Sequence, residues 1–201
     1  MTAETWLITG AQASGKSTVA DLLARQFERG VHVRGGQFYR WAVTGWVDFD
    51  APDQQQEARR LLELRYRLSA RAAVEYAEAG FTCVVQDNIY GDDVVSWIEM
   101  VRPLTTHLVV LRPSIAVVSA RDRSRQISTG KVAYRGRFTP ETNDLHVSAI
   151  PRHVGGLWID TSNQEPYTTV TEILDRASES LVQMQPTASA DTPVEPPGPS
   201  R

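Results

Sequence analysis

Short apolar runs rich in β-branched residues alternate along the chain with longer stretches whose apolar positions recur every three or four residues. The runs at 5–9 (TWLIT), 31–33 (VHV), 81–87 (FTCVVQD), 106–112 (THLVVLR) and 156–160 (GLWID) read as strands. Several are apolar on both faces, as strands of a parallel sheet covered by helices must be. Between them the pattern predicts helices at about 16–29, 54–79, 92–101, 114–128 and 167–184. Such alternation predicts an α/β fold: a doubly wound parallel sheet with helices on both faces.

The helix at 54–79 shows the period best. Leu61, Leu64, Leu68, Ala72 and Tyr76 form one apolar stripe, and Arg59, Arg60, Arg67 and Arg71 lie mostly off it. Gly80 is placed to end it. No internal repeat is evident. From Gln185 onward the chain is rich in Pro, Ser and Ala with almost no apolar anchor. This predicts one domain over 1–184 and a disordered tail over 185–201.

Composition narrows the function classes. The 201 residues carry 21 Lys and Arg against 24 Asp and Glu, a net charge of −3, which argues against a nucleic-acid partner. One cysteine, Cys83, excludes an intrachain disulfide and a cysteine-based zinc site. The opening MTAETWLITG lacks the charged and apolar regions of a signal peptide, and no apolar run is long enough to span a membrane. The expectation is a soluble, cytoplasmic protein; oligomeric state is left open.

The chemistry begins at residues 10–18. Gly10, Gly15, Lys16 and Ser17 satisfy G-x-x-x-x-G-K-[ST], and Ala11, Gln12, Ala13, Ser14 and Thr18 complete the loop. A glycine-rich turn exposes successive backbone N–H groups, and the following helix aims its dipole at the same point. Lys16 is then expected to reach the β- and γ-phosphates of a nucleotide, and the Ser17 hydroxyl to ligate Mg²⁺. The loop follows a predicted strand and precedes an amphipathic helix carrying Val19, Leu22, Leu23 and Phe27, the context the motif requires.

Two further elements accompany it. Asp87 ends the third strand at the carboxyl edge of the sheet, where open α/β folds bind ligands. It is expected to anchor Mg²⁺ with Ser17, or to accept a proton from an acceptor hydroxyl. Asp92 and Asp93 sit where a helix starts and read as N-cap residues. After the fourth strand, Arg121 and Arg125 share a helical face, and Gly130 and Gly136 loosen a segment bearing Lys131, Arg135 and Arg137. This predicts a closing lid at about 121–145 that brings Arg121 and Arg125 to the transferring phosphoryl group.

In this order the motifs resemble a small P-loop kinase, and within that group the chloramphenicol phosphotransferase-like proteins. The likeness runs over about 5–183, ends in WIDTSNQEPYTTVTEIL, and rests most heavily on the phosphate loop. It implies a five-stranded parallel sheet in the order 2-3-1-4-5. It also implies transfer of ATP's γ-phosphoryl group to a small molecule, with Asp160 to Gln164 bordering the adenine. One departure stands out. Many relatives carry an acidic general base just after the second strand, where this chain has Gly35 and Gly36. Asp87 could serve instead, Asp48 or Asp50 could fold back, a loose transition state could need no strong base, or catalysis could be lost.

The segment that follows, with Arg34, Phe38, Tyr39, Arg40, Trp41 and Trp46, is expected to form the acceptor pocket. Its aromatics suit an acceptor with a flat or apolar body, and Arg34 and Arg40 one carrying a phosphate or carboxylate. Phe38, Trp41 and Ala42 also fall at helical spacing, which fits core packing. Three readings therefore stand: a kinase acting on a hydroxyl of a small molecule such as an antibiotic or other natural product, a nucleoside or nucleotide kinase, and a non-catalytic ATP-binding regulatory module.

Overall fold

The computed structural model describes residues 4–47, 51–134, 136 and 138–183. Five parallel strands, β1 (Glu4–Gly10), β2 (Gly30–Arg34), β3 (Thr82–Gln86), β4 (Thr105–Leu111) and β5 (Leu157–Ile159), lie in the order β2-β3-β1-β4-β5. The helices are α1 (Lys16–Ala24), α2 (Gly35–Arg40), α3 (Gln55–Glu78), α4 (Asp93–Met100), α5 (Ile115–Thr129), α6 (Pro140–Ser148) and α7 (Pro166–Asp175). The expected sheet and its order are present. Register places Ile8 beside Gln86 on one side and Val109 on the other. The ends of β1, β3 and β4 therefore meet at one carboxyl edge.

Alternation along the strands divides the core between two faces. Leu7, Val85 and Val110 pack with Tyr66, Ala70, Ala73 and Trp97 on one face. Ile8, Val84 and Val109 pack with Val19, Leu23, Val170 and Ile173 on the other. Every residue named in these two sets is nearly or fully buried.

The helix boundaries differ from expectation at places with local causes. The first helix stops at Ala24 rather than near 29, because the chain must turn back under it: a Cβ on Gly30 would collide with the Ala24 carbonyl. The last helix stops at Asp175, and the following residues serve the sheet edge instead. Ser180 Oγ lies 2.7 Å from His107 Nδ1, and Val182 N–H donates to Thr106 O at 3.0 Å. Residues 184–201, expected to hold the end of that helix and the tail, lie outside the described residues.

The largest difference is the face α3 buries. The stripe of Leu61, Leu64, Leu68 and Tyr76 does not meet the sheet; Leu64, Leu68 and Tyr76 are exposed. Ala58, Tyr66, Ser69, Ala70, Ala73 and Ala77 are buried in its place. Small side chains let the helix axis approach the sheet, and Ser69 satisfies the Trp97 indole N–H at 2.9 Å. Two helices were not anticipated, α2 and α6. The second begins with Thr139 as N-cap in a capping box with Thr142, and with Pro140 in its first turn. Those start signals are present in the sequence, but α6 has no apolar period to accompany them.

Candidate active site

The loop of residues 10–18 is shaped by its backbone. Gly10 has φ 137° and a Cβ there would strike the Leu111 carbonyl, while Gly15 has φ 97° and caps α1. Ala13, with φ 60°, is the one non-glycine residue at positive φ among the described residues. Thr18 and Val19 N–H groups turn back to the Gly15 carbonyl at 3.0 and 3.1 Å. The Lys16 and Ser17 N–H groups, with no helical carbonyl ahead of them, point into the loop.

Lys16 is nearly buried, and its Nζ donates to the Gly10 and Ala11 carbonyls at 2.8 and 2.6 Å. Burial, then the nearby charges of Arg65 and Arg125, lower its pKa from 10.5 to about 7. The loop thus folds its own lysine back on itself, in surroundings that disfavour its charge.

Ser17 and Asp87, expected to hold Mg²⁺ together, each bond to a different side chain. The Ser17 hydroxyl donates to Gln86 Oε1 at 3.0 Å. Asp87, one residue on, is buried and turned toward α3, where Arg65 holds it in a two-pronged ion pair. Arg65 Nη2 donates to Oδ1, Arg65 Nε donates to Oδ2 at 3.0 Å, and Asn88 N–H donates to Oδ1 at 2.7 Å. Arg65 is a functional candidate the sequence reading missed. Its signal was an arginine flanked by Leu61, Leu64 and Leu68 in a helix whose other arginines face solvent.

Gly35 acquires its reason here. A Cβ at position 35 would overlap the Asp87 carboxylate, so the glycine that opens α2 makes room for the acid of β3. Asp48 and Asp50, the alternative acids, lie outside the described residues. Asp92 stands at the N-cap position of α4 but makes no capping bond. Asp93 is instead clasped by Arg59 of α3 at 2.6 and 2.7 Å.

Described residues of the segment expected as a lid bond to the loop of residues 10–18. The Tyr134 hydroxyl donates to the Gln12 carbonyl at 2.7 Å, and Gln12 N–H donates to Asn143 Oδ1 at 2.7 Å. Arg112 and Asp144 tie α6 to the end of β4 with two bonds of 2.8 Å. Arg125 Nη2 donates to Asp122 at 2.8 Å, and the same carboxylate accepts the Ala133 N–H at 2.8 Å, fixing the start of the loop. Arg121 bridges the loop to the segment after β5. Its guanidinium donates to Ser14 O at 3.3 Å and Thr161 O at 2.9 Å. In that segment Asp160 accepts the Ser162 N–H at 2.9 Å and Ser162 Oγ accepts the Ser114 N–H at 2.8 Å. Glu165 caps α7. Arg135 and Arg137 lie outside the described residues, and Lys131 is exposed.

On the acceptor side, α2 packs across α3 and leaves an apolar groove between Phe38, Tyr39, Trp46, Leu61, Leu64 and Leu68, with Arg65 at its inner end. The Tyr39 and Trp46 rings meet edge to face at 4.4 Å, and the Arg65 guanidinium lies 4.8 Å from the Tyr39 ring centre. Trp41 is two-thirds exposed. Arg34 points away and approaches Asp21 at 3.7 Å, and Arg40 is exposed, so neither faces this groove from within.

No protein-family model and no curated protein matches the chain. Solved structures do match in fold. A putative kinase from Chloroflexus aurantiacus is 18% identical with a TM-score of 0.63, over 90% of this chain and 99% of that one. The APS kinase of Mycobacterium tuberculosis, solved with AMPPNP and APS, is 16% identical with a TM-score of 0.60, over 87% and 96%. A sugar kinase from Janibacter sp. HTCC2649 is 15% identical with a TM-score of 0.59, over 90% and 96%. The five-stranded sheet in the order β2-β3-β1-β4-β5, with its phosphate loop after β1, is the fold of the P-loop kinases.

Proposed function

We propose that the protein is an ATP- and Mg²⁺-dependent phosphotransferase that moves the γ-phosphoryl group to a hydroxyl of a small molecule. The observation that carries this reading is a set of buried polar atoms without partners around the roofed loop: Ser14 Oγ, Thr161 Oγ1 and Arg125 Nε. Each such atom costs about 1–3 kcal/mol unless a ligand meets it. A polyanion with many acceptor oxygens, lying between the segment after β5 and the loop, answers all three.

In this reading the loop amides of residues 10–18 and Lys16 hold the β- and γ-phosphates, with Lys16 leaving the Gly10 and Ala11 carbonyls. Ser17 and Gln86 are the side chains that would hold Mg²⁺, hard oxygen donors suited to an ion that keeps most of its water. When bound, that ion neutralises phosphate charge. Arg121 frames the nucleotide, and Arg125 meets the charge that develops on the transferring group. The acceptor oxygen attacks the γ-phosphorus, the bond to ADP breaks with its electron pair going to the β-phosphate oxygen, and the hydroxyl proton passes to Asp87. The groove between α2 and α3 receives the acceptor's apolar body, as an antibiotic or other natural product would supply.

The test is ADP release with Mg-ATP across hydroxylated antibiotics, nucleosides, nucleoside monophosphates and sugar acids. Acceptor-dependent release that Lys16→Ala abolishes is the expected result. Nucleotide binding with silence across the panel would favour the regulatory module. That second reading draws on one observation, the engagement of both Asp87 oxygens by other groups. The nucleotide-kinase reading loses its intended anion contact, because Arg34 approaches Asp21 instead.

A further inference from the structure

Asp87 cannot receive an acceptor hydroxyl as it stands. Its Oδ1 accepts from Arg65 Nη2 and from Asn88 N–H, its Oδ2 accepts from Arg65 Nε, and a side chain at position 35 is excluded from the same space. The pair is almost wholly buried, with Asp87 1% and Arg65 8% exposed. Breaking such a pair without replacing a partner leaves an uncompensated buried charge. A ligand that supplies a new anion keeps Arg65 paired, and the released Asp87 then needs a donor of its own, which the acceptor hydroxyl can supply beside the Asn88 N–H.

The surroundings favour an anion at this point. Arg65 joins Lys16 and Arg125 in a cluster of three cations, for which Asp87 and Asp122 are the carboxylates in contact. Each arginine is paired with one carboxylate, and Lys16 adds positive charge beside them when protonated. Arg65 also forms the inner end of the groove and lies over the Tyr39 ring, so its guanidinium can turn from Asp87 toward the groove while keeping one face covered. The walls of that groove, Leu61, Leu64, Leu68 and Trp46, offer an apolar body a surface and offer a second charge nothing.

We propose that the acceptor is a hydroxylated molecule with an apolar body and an anionic group, and that this group takes the Arg65 guanidinium from Asp87. Asp87 then has a free oxygen to accept the hydrogen bond of the acceptor hydroxyl and orient its oxygen toward the nucleotide. Arg65 acts as the specificity-determining residue, and the exchange makes the correct acceptor the condition for its own positioning. The proposal rests on the phosphotransferase reading for the role of the hydroxyl, but not for the exchange itself.

The competition has a signature that a structural ion pair lacks: removing the Asp87 charge should tighten binding of the anion. Calorimetry with 4-(hydroxymethyl)benzoate and 3-phenyllactate, each beside its methyl ester and in the presence of Mg-AMPPNP, measures this. The acids should bind the wild-type protein at least about tenfold more tightly than the esters. Asp87→Asn, shown by circular dichroism to be folded, should bind the acids about tenfold more tightly still, with the esters unchanged. Arg65→Gln should erase the acid–ester difference. If either variant fails to fold, the wild-type preference decides, together with movement of the Arg65 Nε–H resonance on adding acid but not ester.

Acids and esters binding alike, neither binding, or an Asp87→Asn protein that binds acids more weakly would overturn the exchange. An acid preference without acceptor-dependent ADP release would leave the exchange standing and remove the phosphotransferase reading. Transfer without an acid preference would do the reverse.

Discussion

The two sides of the cleft are built from different kinds of information. The loop of residues 10–18 is shaped through backbone: positive φ at Gly10, Ala13 and Gly15, and N–H groups left over at the start of α1. Arg65, Asp87 and Gly35 fit through side-chain space, and they come from α3, the residue after β3 and the start of α2. A local backbone conformation can be encoded in nine consecutive residues. A salt bridge between α3 and the end of β3 exists only once the sheet has been laid down and the helix has chosen a face. The difference teaches that a motif encodes a local backbone shape well and leaves pairings between distant side chains unread.

The contrast breaks most visibly when one residue of each side is removed. Lys16→Ala should lower acceptor-dependent ADP release by about 10³-fold while leaving the melting temperature unchanged or raised, because a buried cation next to Arg65 and Arg125 is deleted. The same lysine gives a pH test. Its folded pKa, about 7, lies below its unfolded value, so between those values the unfolded chain binds more protons. Stability of the ligand-free protein should therefore rise as pH increases from about 7 toward 10.5, a contribution lost again on acidification through pH 7. Denaturant midpoints across that range would check it, and a flat or falling midpoint would contradict the burial of Lys16.

Asp87→Ala should behave oppositely, costing about 3–5 kcal/mol of stability because Arg65 is left buried and unpaired. Urea unfolding compares it with the double variant Arg65→Met and Asp87→Leu, which should recover most of the loss while remaining inactive. A single variant as stable as wild type would show that the pair is solvated and not as described.

The smallest effect sharpens the description of α3. Ala73→Leu, on the face against the sheet, should cost about 1–3 kcal/mol by overpacking, whereas Leu68→Ser in the groove should change stability by less than about 1 kcal/mol. Equal losses at both positions would mean that the leucine stripe is core after all.

These comparisons also mark how far the sequence could be read. The strands were legible because buried parallel strands are apolar on both faces, and that pattern survives without tertiary context. The start of α6 was encoded in Thr139 and Pro140 but went unread, because its polar surface gives no period to confirm a helix. The face of α3 was misleading, since Leu61, Leu64 and Leu68 form the stronger apolar stripe while alanines are what fit against the sheet.

The sequence by itself determined the alternation of buried strands and helices and the glycine pattern of residues 10–18, because each depends on residue types within one short stretch, whereas the strand order followed only from the family resemblance. Tertiary structure alone decided that Ser17 bonds to Gln86, that Arg65 takes Asp87, and that position 35 has no room for a Cβ beside the Asp87 carboxylate. Those outcomes depend on strand register and on which side of α3 meets the core. Both are settled by packing over the whole sheet, where a turn of one residue along a helix redirects its side chains by about 100°.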